Sequence, residues 1–243
     1  MKYLASCSFG KDSIAAIITH LEHGGRVDEA VYCRIMFNDE ISAELPEHEE
    51  WIYEKAIPKL KEDWGIETTV IYADKTYTDY FYRKYEKGQR TGEIYGFPML
   101  AGVWCNSRLK VKPFNQYKNI VGECKEIIGI AADEPNRMKS KRNRPDVVLP
   151  LVEHGITQKQ SFEIAERAGL LSLSYNNGRT RLGCWFCHNQ RIKELRRLRK
   201  EYPCLWEIML QLDKDSPVKF TPRTTVHDFE ERFAIEDRQL TLV

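Results

Sequence analysis

The chain lacks a strong net charge, a long hydrophobic run and a secretory signal. Its 37 Lys and Arg residues against 36 Asp and Glu residues leave a formal net charge of +1, so no overall field draws it to nucleic acid or to a membrane surface. No run of about 18 apolar residues is present that could span a bilayer. The residues from Met1 to Asp12 lack the apolar core and cleavage site of a signal peptide. We therefore expect a cytoplasmic protein with no membrane partner.

Internal repeats and low-complexity tracts are also missing, whereas apolar residues are plentiful. With 243 residues and a hydrophobic content of 42%, the chain is long enough to bury a sizeable core. The cysteines number seven, an odd total that a framework of disulfides would leave incomplete. In a reducing compartment, clustered cysteines indicate metal or redox chemistry more often than disulfides.

Strand and helix patterns alternate over roughly the first 150 residues. Strands are predicted at residues 3–7, 30–37, 68–72, 126–131 and 147–151. Helical patterns separate the first three of them, at residues 14–21 and 46–64. This alternation predicts an α/β fold with a doubly wound, mainly parallel sheet, whose ligand site lies beyond the carboxyl ends of the strands.

A shift in composition near residue 150 predicts two parts. Residues 1–155 form the predicted nucleotide-binding α/β domain. Residues 156–243 form a helical, cysteine-bearing C-terminal portion that is expected to pack on the first part. A basic amphipathic helix is predicted up to Tyr202.

The turn after the first strand has the composition of a phosphate-binding loop. It runs from Ser8 to Ser13 with the sequence SFGKDS. Gly10 permits a tight turn and a close approach of the backbone, and the following helix offers unpaired N–H groups beside the charge of Lys11. The loop is not a Walker A motif, because Asp12 stands where a Ser or Thr would bind magnesium. An ordinary polar turn is the alternative interpretation.

Five segments together resemble a known family. The SFGKDS turn resembles the PP-loop (Ser-Gly-Gly-x-Asp-Ser) of the adenine-nucleotide α-hydrolase superfamily. Four further segments resemble the phosphoadenosine phosphosulfate (PAPS) reductase family within it, and they occur in the family's order. These segments are residues 104–113, 129–137, 149–151 and 181–187. The resemblance extends over roughly residues 3–210.

The resemblance implies a five-stranded parallel sheet that binds ATP, PAPS or a related adenylate. The nucleotide-binding residues that it implies are Ser8, Phe9, Gly10, Lys11, Asp12, Ser13, Asp133, Glu134 and Arg137. Lys11 and Asp12 are the expected catalytic residues, and Mg²⁺ is the expected cation. Phe9 departs from the Gly-Gly pattern of the ATP-cleaving branch and is similar to the reductase branch, so both nucleotides stay open.

The cysteines include a C-x-x-C knuckle at Cys184 and Cys187, a turn that lets two thiolates reach one metal. Adenylyl-sulfate reductases hold a [4Fe–4S] cluster with such a knuckle and an upstream cysteine pair, to which Cys105 corresponds as a single residue. We predict Cys204 as the fourth ligand, with His188 as its competitor. A [4Fe–4S] cluster is the preferred cofactor; tetrahedral Zn²⁺ and a metal-free redox pair are the alternatives.

The other three cysteines, Cys7, Cys33 and Cys124, lie in or beside apolar stretches and are expected to be small buried side chains. Cys7 directly precedes the phosphate loop. It is predicted to be reactive if the helix N-terminus lowers its pKa.

Basic residues flank the predicted metal ligands. They are Arg108, Lys110, Lys112, Arg179 and Arg181. If their segments meet, these cations converge on the anionic end of the nucleotide; solvated surface charge is the alternative. The six cations of the stretch 191–200 are expected on the solvated face of an amphipathic helix, with contact to nucleic-acid phosphate as the alternative.

The leading functional hypothesis is an enzyme that cleaves ATP between the α- and β-phosphates for adenylation or sulfur transfer. Reduction of PAPS or adenylyl sulfate to sulfite is the alternative, although no cysteine follows Cys204 to act as the nucleophile that those reductases carry near the C-terminus. A non-catalytic module for nucleic-acid modification is a second alternative. The expected partners are an adenine nucleotide and an acceptor of unknown identity, with a homodimer and nucleic acid as further candidates.

Overall fold

The computed structural model describes residues 1–99, 103–139, 141, 143–175, 179 and 182–240. The chain forms two compact units, and it passes between them several times. Unit 1 comprises Met1–Ile35, Glu44–Asp74 and Lys110–Leu182. Unit 2 comprises Met36–Ala43, Lys75–Leu109 and Gly183–Val243. These units differ from the predicted boundary near residue 155, since a long insertion after the third strand belongs to unit 2.

Unit 1 contains a five-stranded sheet in which every pair of neighbours is parallel. The strands are β1 (Lys2–Ser6), β2 (Glu29–Arg34), β3 (Thr68–Tyr72), β4 (Cys124–Ile128) and β5 (Val147–Val148). Their spatial order is β3-β2-β1-β4-β5. In the register, Ala5 of β1 lies opposite Ala30 on one side and Ile127 on the other. The predicted α/β fold class with a parallel five-stranded sheet is confirmed.

Helices follow most of the strands. In chain order they are α1 (Lys11–Glu22), α2 (Pro46–Trp51), α3 (Ile57–Trp64), α4 (Tyr77–Phe81), α5 (Trp104–Asn106), α6 (Lys112–Val121), α7 (Pro135–Lys139), α8 (Pro150–Glu153), α9 (Gln158–Arg167), α10 (Ile192–Glu201), α11 (Pro203–Asp215) and α12 (Val226–Leu240). Two π-helical segments, Ile52–Ala56 and Ser107–Val111, lead into α3 and α6, and a 3-10 turn spans Leu173–Tyr175. None of the helices in the described ranges combines the length and apolar character needed to cross a bilayer.

Both faces of the sheet are covered, as alternation along β1 requires. Ala5 faces a core that includes Ile14 and Ile17 of α1 and Ile164 of α9. Leu4, one residue earlier, faces the opposite side and packs against Phe114 of α6. Successive strand residues point to opposite faces of the sheet. Because helices cover both faces of a parallel sheet, the residues on both faces must be apolar. The sheet therefore holds the loop after β1 on a rigid base.

Unit 2 has an aromatic core built from distant parts of the chain. Phe37 packs against Trp185 with ring centroids 4.8 Å apart, and Phe97 packs against Phe220 at 5.1 Å. Helices α10, α11 and α12 pack in sequence on one another. The predicted helical, cysteine-bearing C-terminal portion is present, but its core is completed by residues 36–43 and 75–109.

Candidate functional site

The loop after β1 lies at the point where the order of the sheet reverses. The chain runs outward from β1 to β2 and β3, and then returns to the other side of β1 as β4. In open α/β sheets such a reversal leaves a crevice at the carboxyl ends of the two central strands, where ligands bind. The predicted phosphate loop follows β1 and the segment from Gly129 follows β4. Both segments thus flank this crevice.

Phe9, and not Gly10, adopts the unusual backbone conformation in the loop. Its φ angle is +53°, in the left-handed region, which costs a non-glycine residue about 1–2 kcal/mol. Its side chain is fully buried and packs edge-to-face on Tyr32, with ring centroids 5.3 Å apart. Burial of this ring holds the loop in its strained form, as is common at ligand sites.

The conformational role predicted for Gly10 is wrong. Gly10 has φ −79° and ψ 157° and serves as the N-cap of α1, a conformation open to any residue. A methyl group at Gly10 would meet only Ser8 Oγ at 3.5 Å and Tyr175 Oη at 3.6 Å, both ordinary contacts. Neither the backbone conformation nor the packing of the protein therefore requires a glycine at position 10.

Gly129 is the glycine that close packing does require. A Cβ atom there would lie 2.4 Å from the backbone oxygen of Asp12 and 2.7 Å from the backbone nitrogen of Ser13. These distances are shorter than any non-bonded contact allows, and backbone atoms cannot move aside as a side chain can. The end of β4 thus presses directly on the first turn of α1. Gly129 begins one of the segments that resemble the PAPS reductase family, but the sequence alone indicated no role for it.

The polar side chains of the loop bind mainly to the loop itself. Lys11 is buried, and its Nζ lies 2.6 Å from Asp12 Oδ1. Ser13 Oγ donates a hydrogen bond to the backbone oxygen of Gly10 at 2.8 Å and lies 3.5 Å from Ser8 Oγ. The loop therefore carries a shielded cation and two hydroxyls at the N-terminus of a helix, where the helix dipole favours an anion.

Tyr175 is a residue of this site that sequence reasoning missed. Its hydroxyl accepts a hydrogen bond from the backbone N–H of Lys11 at 3.1 Å, one of the N–H groups that a helix leaves without an internal partner. Its ring packs edge-to-face on Phe162 of α9. No local motif marks Tyr175, because the hydrogen bond joins positions far apart in the chain.

The predicted acidic residues after β4 shape their own loop. Asp133 accepts a hydrogen bond from the backbone N–H of Gln158 at 3.0 Å, at the start of α9. Glu134 accepts from the backbone N–H of Ala131 and pairs with Arg137 at 2.8 Å. The loop lies at the carboxyl edge shared with β1, since β1 and β4 are parallel neighbours. Direct contact of these three residues with a nucleotide stays a prediction.

Cys7 does not have the predicted reactivity. It is buried, and this burial raises the pKa of its thiol to about 11, with only small opposing effects from the Phe9 backbone and the Ser13 side chain. The N-terminus of α1 does not overcome the loss of water around the sulfur. Cys33 and Cys124 are partly buried, and burial likewise raises the pKa of Cys33 to about 11.

A buried polar cluster in unit 1 also escaped the sequence analysis. His48 Nδ1 lies 3.0 Å from Ser172 Oγ, and the same Oγ accepts from the backbone N–H of Ser174. Burial, followed by the positive charge of Arg179, lowers the pKa of His48 to about 4, so its imidazole is neutral at physiological pH. Arg179 is itself buried, with Nη1 4.0 Å from Glu47. Arg181 lies outside the described residues.

The remaining predicted cations have separate local surroundings. The Arg108 guanidinium lies over the ring of Tyr80 at 5.3 Å. Lys112 pairs with Asp74 at 2.8 Å. Lys110 acts electrostatically on Glu44, and its charge opposes the rise in pKa that burial causes there. Convergence of these cations on one anion stays a prediction.

In unit 2, the C-x-x-C segment forms the predicted knuckle. The backbone N–H of Cys187 donates to the backbone oxygen of Cys184 at 3.0 Å. The side-chain amide of Gln190 donates to the backbone oxygens of Cys184 and Trp185, each at 2.9 Å. Trp185 is fully buried and donates through Nε1 to the Ser42 oxygen. Gln190 and Trp185 therefore fix the turn; the spacing of the cysteines gave no hint of either role.

Cys105 lies in α5, two positions after a strained residue. Val103 has φ +44° and is partly exposed, whereas its neighbour Trp104 is buried. A left-handed conformation is a marked outlier for a β-branched residue. Across the described ranges, Phe9 and Val103 are the non-glycine residues with positive φ. Phe9 lies within the predicted phosphate loop, and Val103 lies two residues before a predicted metal ligand.

Tyr77 connects the knuckle with the Cys105 segment. Its ring centroid lies 4.1 Å from that of Phe186 and 5.1 Å from that of Trp104. Burial, followed by the electrostatic influence of Cys105, Cys184 and Cys187, raises the pKa of Tyr77 well above its ordinary value. Three of the four predicted ligands thus lie around one buried tyrosine.

The metal-ligand role of all four cysteines stays a prediction. Cys204 is exposed at the start of α11, and His188 follows the knuckle directly. Over the described ranges, no three His, Cys, Asp or Glu side chains are arranged to hold a metal ion. The three cysteines around Tyr77 are thus grouped without converging on one point.

The basic helix α10 turns its cations toward acidic residues of α12. Arg199 pairs with Glu230 at 2.8 Å and with Asp237 at 2.6 Å. Arg196 pairs with Glu236. These pairs involve two of the six cations that the sequence has between residues 191 and 200.

Comparisons with known proteins give limited similarity. No family model matches the chain. The uncharacterized protein MJ0066 of Methanocaldococcus jannaschii is 24% identical over 214 residues, which cover 84% of this chain and 40% of that protein. The chain therefore spans less than half the length of this relative.

Among solved structures, the U34-tRNA thiolase NcsA from Methanococcus maripaludis, with its [4Fe–4S] cluster, is similar to 96% of this chain and 80% of its own, at 16% identity and a TM-score of 0.42. At so low a TM-score this similarity carries no argument. The fold class rests on the sheet topology described above.

Proposed function

We propose that the protein is a PP-loop enzyme that binds ATP at the loop after β1 and cleaves it between the α- and β-phosphates, for adenylation of an acceptor or for sulfur transfer. The observation that carries this proposal is the packing of Gly129 on Asp12 and Ser13 at the point where the sheet order reverses. Such packing fixes the N-terminus of α1 against the crevice in which ligands of α/β sheets bind.

The residues of the loop suit the chemistry of a polyphosphate. The first turn of α1 presents backbone N–H groups, and Lys11 supplies a cation whose water is largely excluded by burial. In such surroundings a fixed positive charge stabilises the charge that develops on phosphate oxygens. Catalysis of phosphoryl and nucleotidyl transfer consists mainly of positioning and of this electrostatic stabilisation. Mg²⁺ would arrive with the nucleotide.

An iron–sulfur cluster is the cofactor that we infer for the cysteines of unit 2, because the Cys105 segment and the knuckle both contact Tyr77 and because the resemblance to adenylyl-sulfate reductases implies such a cluster. Tetrahedral Zn²⁺, with ligands about 2.0–2.3 Å from the metal, is the alternative. A cluster places its own irons and sulfides between its thiolates. Cys105, Cys184 and Cys187 would hold it, with Cys204 or His188 as the candidate for a fourth position. When bound, a cluster of this kind supplies redox or sulfur-carrying chemistry.

The ionic contacts of α10 bear on the nucleic-acid alternative. A helix that binds the phosphate backbone needs cations that are available to release counterions, whereas Arg196 and Arg199 are paired with carboxylates of α12. A nucleic acid that serves as acceptor would therefore be recognised through other residues. PAPS reduction stays the rival chemistry at the same loop.

The test is pyrophosphate release by anaerobically purified protein supplied with ATP and Mg²⁺. We expect Lys11→Ala to lower the rate by about 10²- to 10³-fold, because a fixed charge that stabilises the transition state is lost, and Asp12→Ala to lower it as well. Lys59→Ala is the matched control, since Lys59 is a partly exposed lysine of α3 paired with Asp63, and it should leave the rate unchanged. Formation of sulfite from PAPS without cleavage of ATP would instead establish the reductase.

A further inference from the structure

Tyr77 and Trp104, two neighbouring side chains of unit 2, each have a buried hydrogen-bond donor without an acceptor. The hydroxyl of Tyr77 and the indole Nε1–H of Trp104 are both buried, and within the described part of the chain neither finds a hydrogen-bond partner. An unsatisfied buried polar group costs about 1–3 kcal/mol. Most buried donors in folded proteins are paired, so two orphaned donors in neighbouring side chains call for an explanation.

The two donors belong to side chains that contact the cysteine segments. The rings of Tyr77 and Trp104 are in contact, with centroids 5.1 Å apart. Trp104 immediately precedes Cys105, and Phe186, between the two knuckle cysteines, packs on Tyr77 with ring centroids 4.1 Å apart. The Tyr77 ring therefore contacts a chain neighbour of Cys105 and the residue between Cys184 and Cys187, and all three cysteines act electrostatically on it.

The chemistry of the missing acceptor follows from these surroundings. Thiolate and sulfide sulfurs accept hydrogen bonds, and a cysteine-held cluster brings several of them to one place. Indole N–H is a donor only, so its partner must be an acceptor. Such outer hydrogen bonds orient ligands and tune the metal centre.

We propose that Tyr77 Oη–H and Trp104 Nε1–H donate hydrogen bonds to sulfur atoms of the cluster held by Cys105, Cys184 and Cys187. This inference rests on the proposed function only in requiring that a cluster is bound. The two residues are positioning residues: they do not hold iron, but they neutralise part of the negative charge on the sulfurs. Because a reduced cluster carries one more negative charge, these hydrogen bonds stabilise the reduced form and raise the reduction potential.

The variants Tyr77→Phe and Trp104→Phe remove each donor, the first without altering the ring. Tyr80→Phe is the matched control. Tyr80 is also buried and packs on Trp104 with ring centroids 5.7 Å apart, but its hydroxyl is not one of the buried groups that lack a hydrogen-bond partner. The readouts are iron content, the reduction potential of the full-length holoprotein, and the couplings of exchangeable protons in the magnetic resonance spectrum of the reduced cluster.

We expect Tyr77→Phe and Trp104→Phe to keep their iron, to shift the potential to more negative values, and each to lose an exchangeable-proton coupling. Tyr80→Phe should match the wild type. In the metal-free protein, Tyr77→Phe should melt at an unchanged or higher temperature, because it removes an unsatisfied buried hydroxyl; a structural role for that hydroxyl would lower the melting temperature.

Unchanged potentials and couplings in fully loaded Tyr77→Phe and Trp104→Phe would overturn the inference, as would a wild-type protein that takes up no iron. Failure of the proposed ATP chemistry is a separate outcome, since it is measured by pyrophosphate release. A protein that holds a cluster with shifted potentials in the variants but cleaves no ATP would support the hydrogen bonds and refute the nucleotide chemistry.

Discussion

The two units build their candidate sites in different ways. In unit 1 the loop from Ser8 to Ser13 is contiguous, and the sheet beneath it supplies the rigid base. In unit 2 the cysteines come from two distant segments, which the ring of Tyr77 joins through its contacts with Trp104 and Phe186. A site made from one strand, one turn and one helix is visible in local sequence. A site made by packing of distant side chains is visible only in part.

The two sites nevertheless share one device. A non-glycine residue in the left-handed region occurs at each site: Phe9 lies within the loop of unit 1, and Val103 lies two residues before Cys105 in unit 2. The strain at Phe9 is held by a fully buried ring, whereas Val103 is partly exposed. Strained backbone tends to be retained where function needs it. The two sites therefore share a strained backbone position, but a buried side chain stabilises that conformation only at Phe9.

The largest effect is expected at Gly129. Gly129→Ala places a methyl group 2.4 Å from the Asp12 oxygen, so the end of β4 and the first turn of α1 must separate. We expect a loss of about 3 kcal/mol in the free energy of unfolding, measured by urea denaturation. Gly10→Ala, whose methyl group meets only ordinary contacts, is the control and should unfold like the wild type. Equal stability of Gly129→Ala would show that the packing described for unit 1 is incorrect.

A smaller effect, of opposite sign in the two units, is expected where the left-handed residues are replaced by glycine. Phe9→Gly loses a buried ring, about 3–5 kcal/mol for truncation of a core aromatic, and recovers about 1–2 kcal/mol of strain, so we expect a net loss of about 2 kcal/mol. Val103→Gly loses little packing. It should gain about 0.5 kcal/mol, after the greater freedom of glycine in the unfolded chain is subtracted. Melting temperatures of the metal-free variants would measure both changes, and a loss at Val103 would refute the contrast.

The smallest effect concerns two thiols and leaves the fold intact. Cys7 has a pKa raised to about 11, so at pH 8 about one part in a thousand is thiolate, the form that reacts with iodoacetamide. Cys204 is exposed and should be alkylated first, as peptide mass spectrometry would detect. Labelling of Cys7 should rise only as the pH approaches 11. Because the unfolded thiol ionises near pH 9.0, stability should also fall as the pH rises between these values. Rapid labelling of native Cys7 at pH 8 would contradict its burial.

Much of the fold could be predicted from the sequence because each helix, strand and turn leaves a pattern in neighbouring residues. Apolar spacing from Ile14 to Leu21 identified α1, and the β-branched run at residues 68–72 coincides with β3. The strand–turn–helix unit also gave the position of the predicted phosphate loop, between β1 and α1. In each case the signal lies within about twenty residues, the range over which periodicity is informative.

The rest depends on contacts that sequence spacing does not encode. Because glycine is common in turns, the sequence predicted the special backbone conformation at Gly10. The left-handed residue is instead Phe9, whose ring packs on Tyr32. Tyr175, which accepts a hydrogen bond from the Lys11 N–H, is 164 residues away from Lys11 in the sequence. Nothing in the local sequence distinguishes Tyr77 from the nearby tyrosines Tyr80 and Tyr82. Its importance arises from its neighbours, which only the folded chain brings together.

The central claim, that the loop after β1 holds an adenine nucleotide, is tested most directly by equilibrium binding. Labelled ATP with Mg²⁺ and labelled PAPS would each be titrated against the wild-type protein and Lys11→Ala. We predict saturable binding of ATP to the wild type and at least a tenfold weaker affinity for Lys11→Ala, about 1.4 kcal/mol or more. A wild-type protein that binds neither nucleotide, or a Lys11→Ala variant that binds ATP equally well, would contradict the claim.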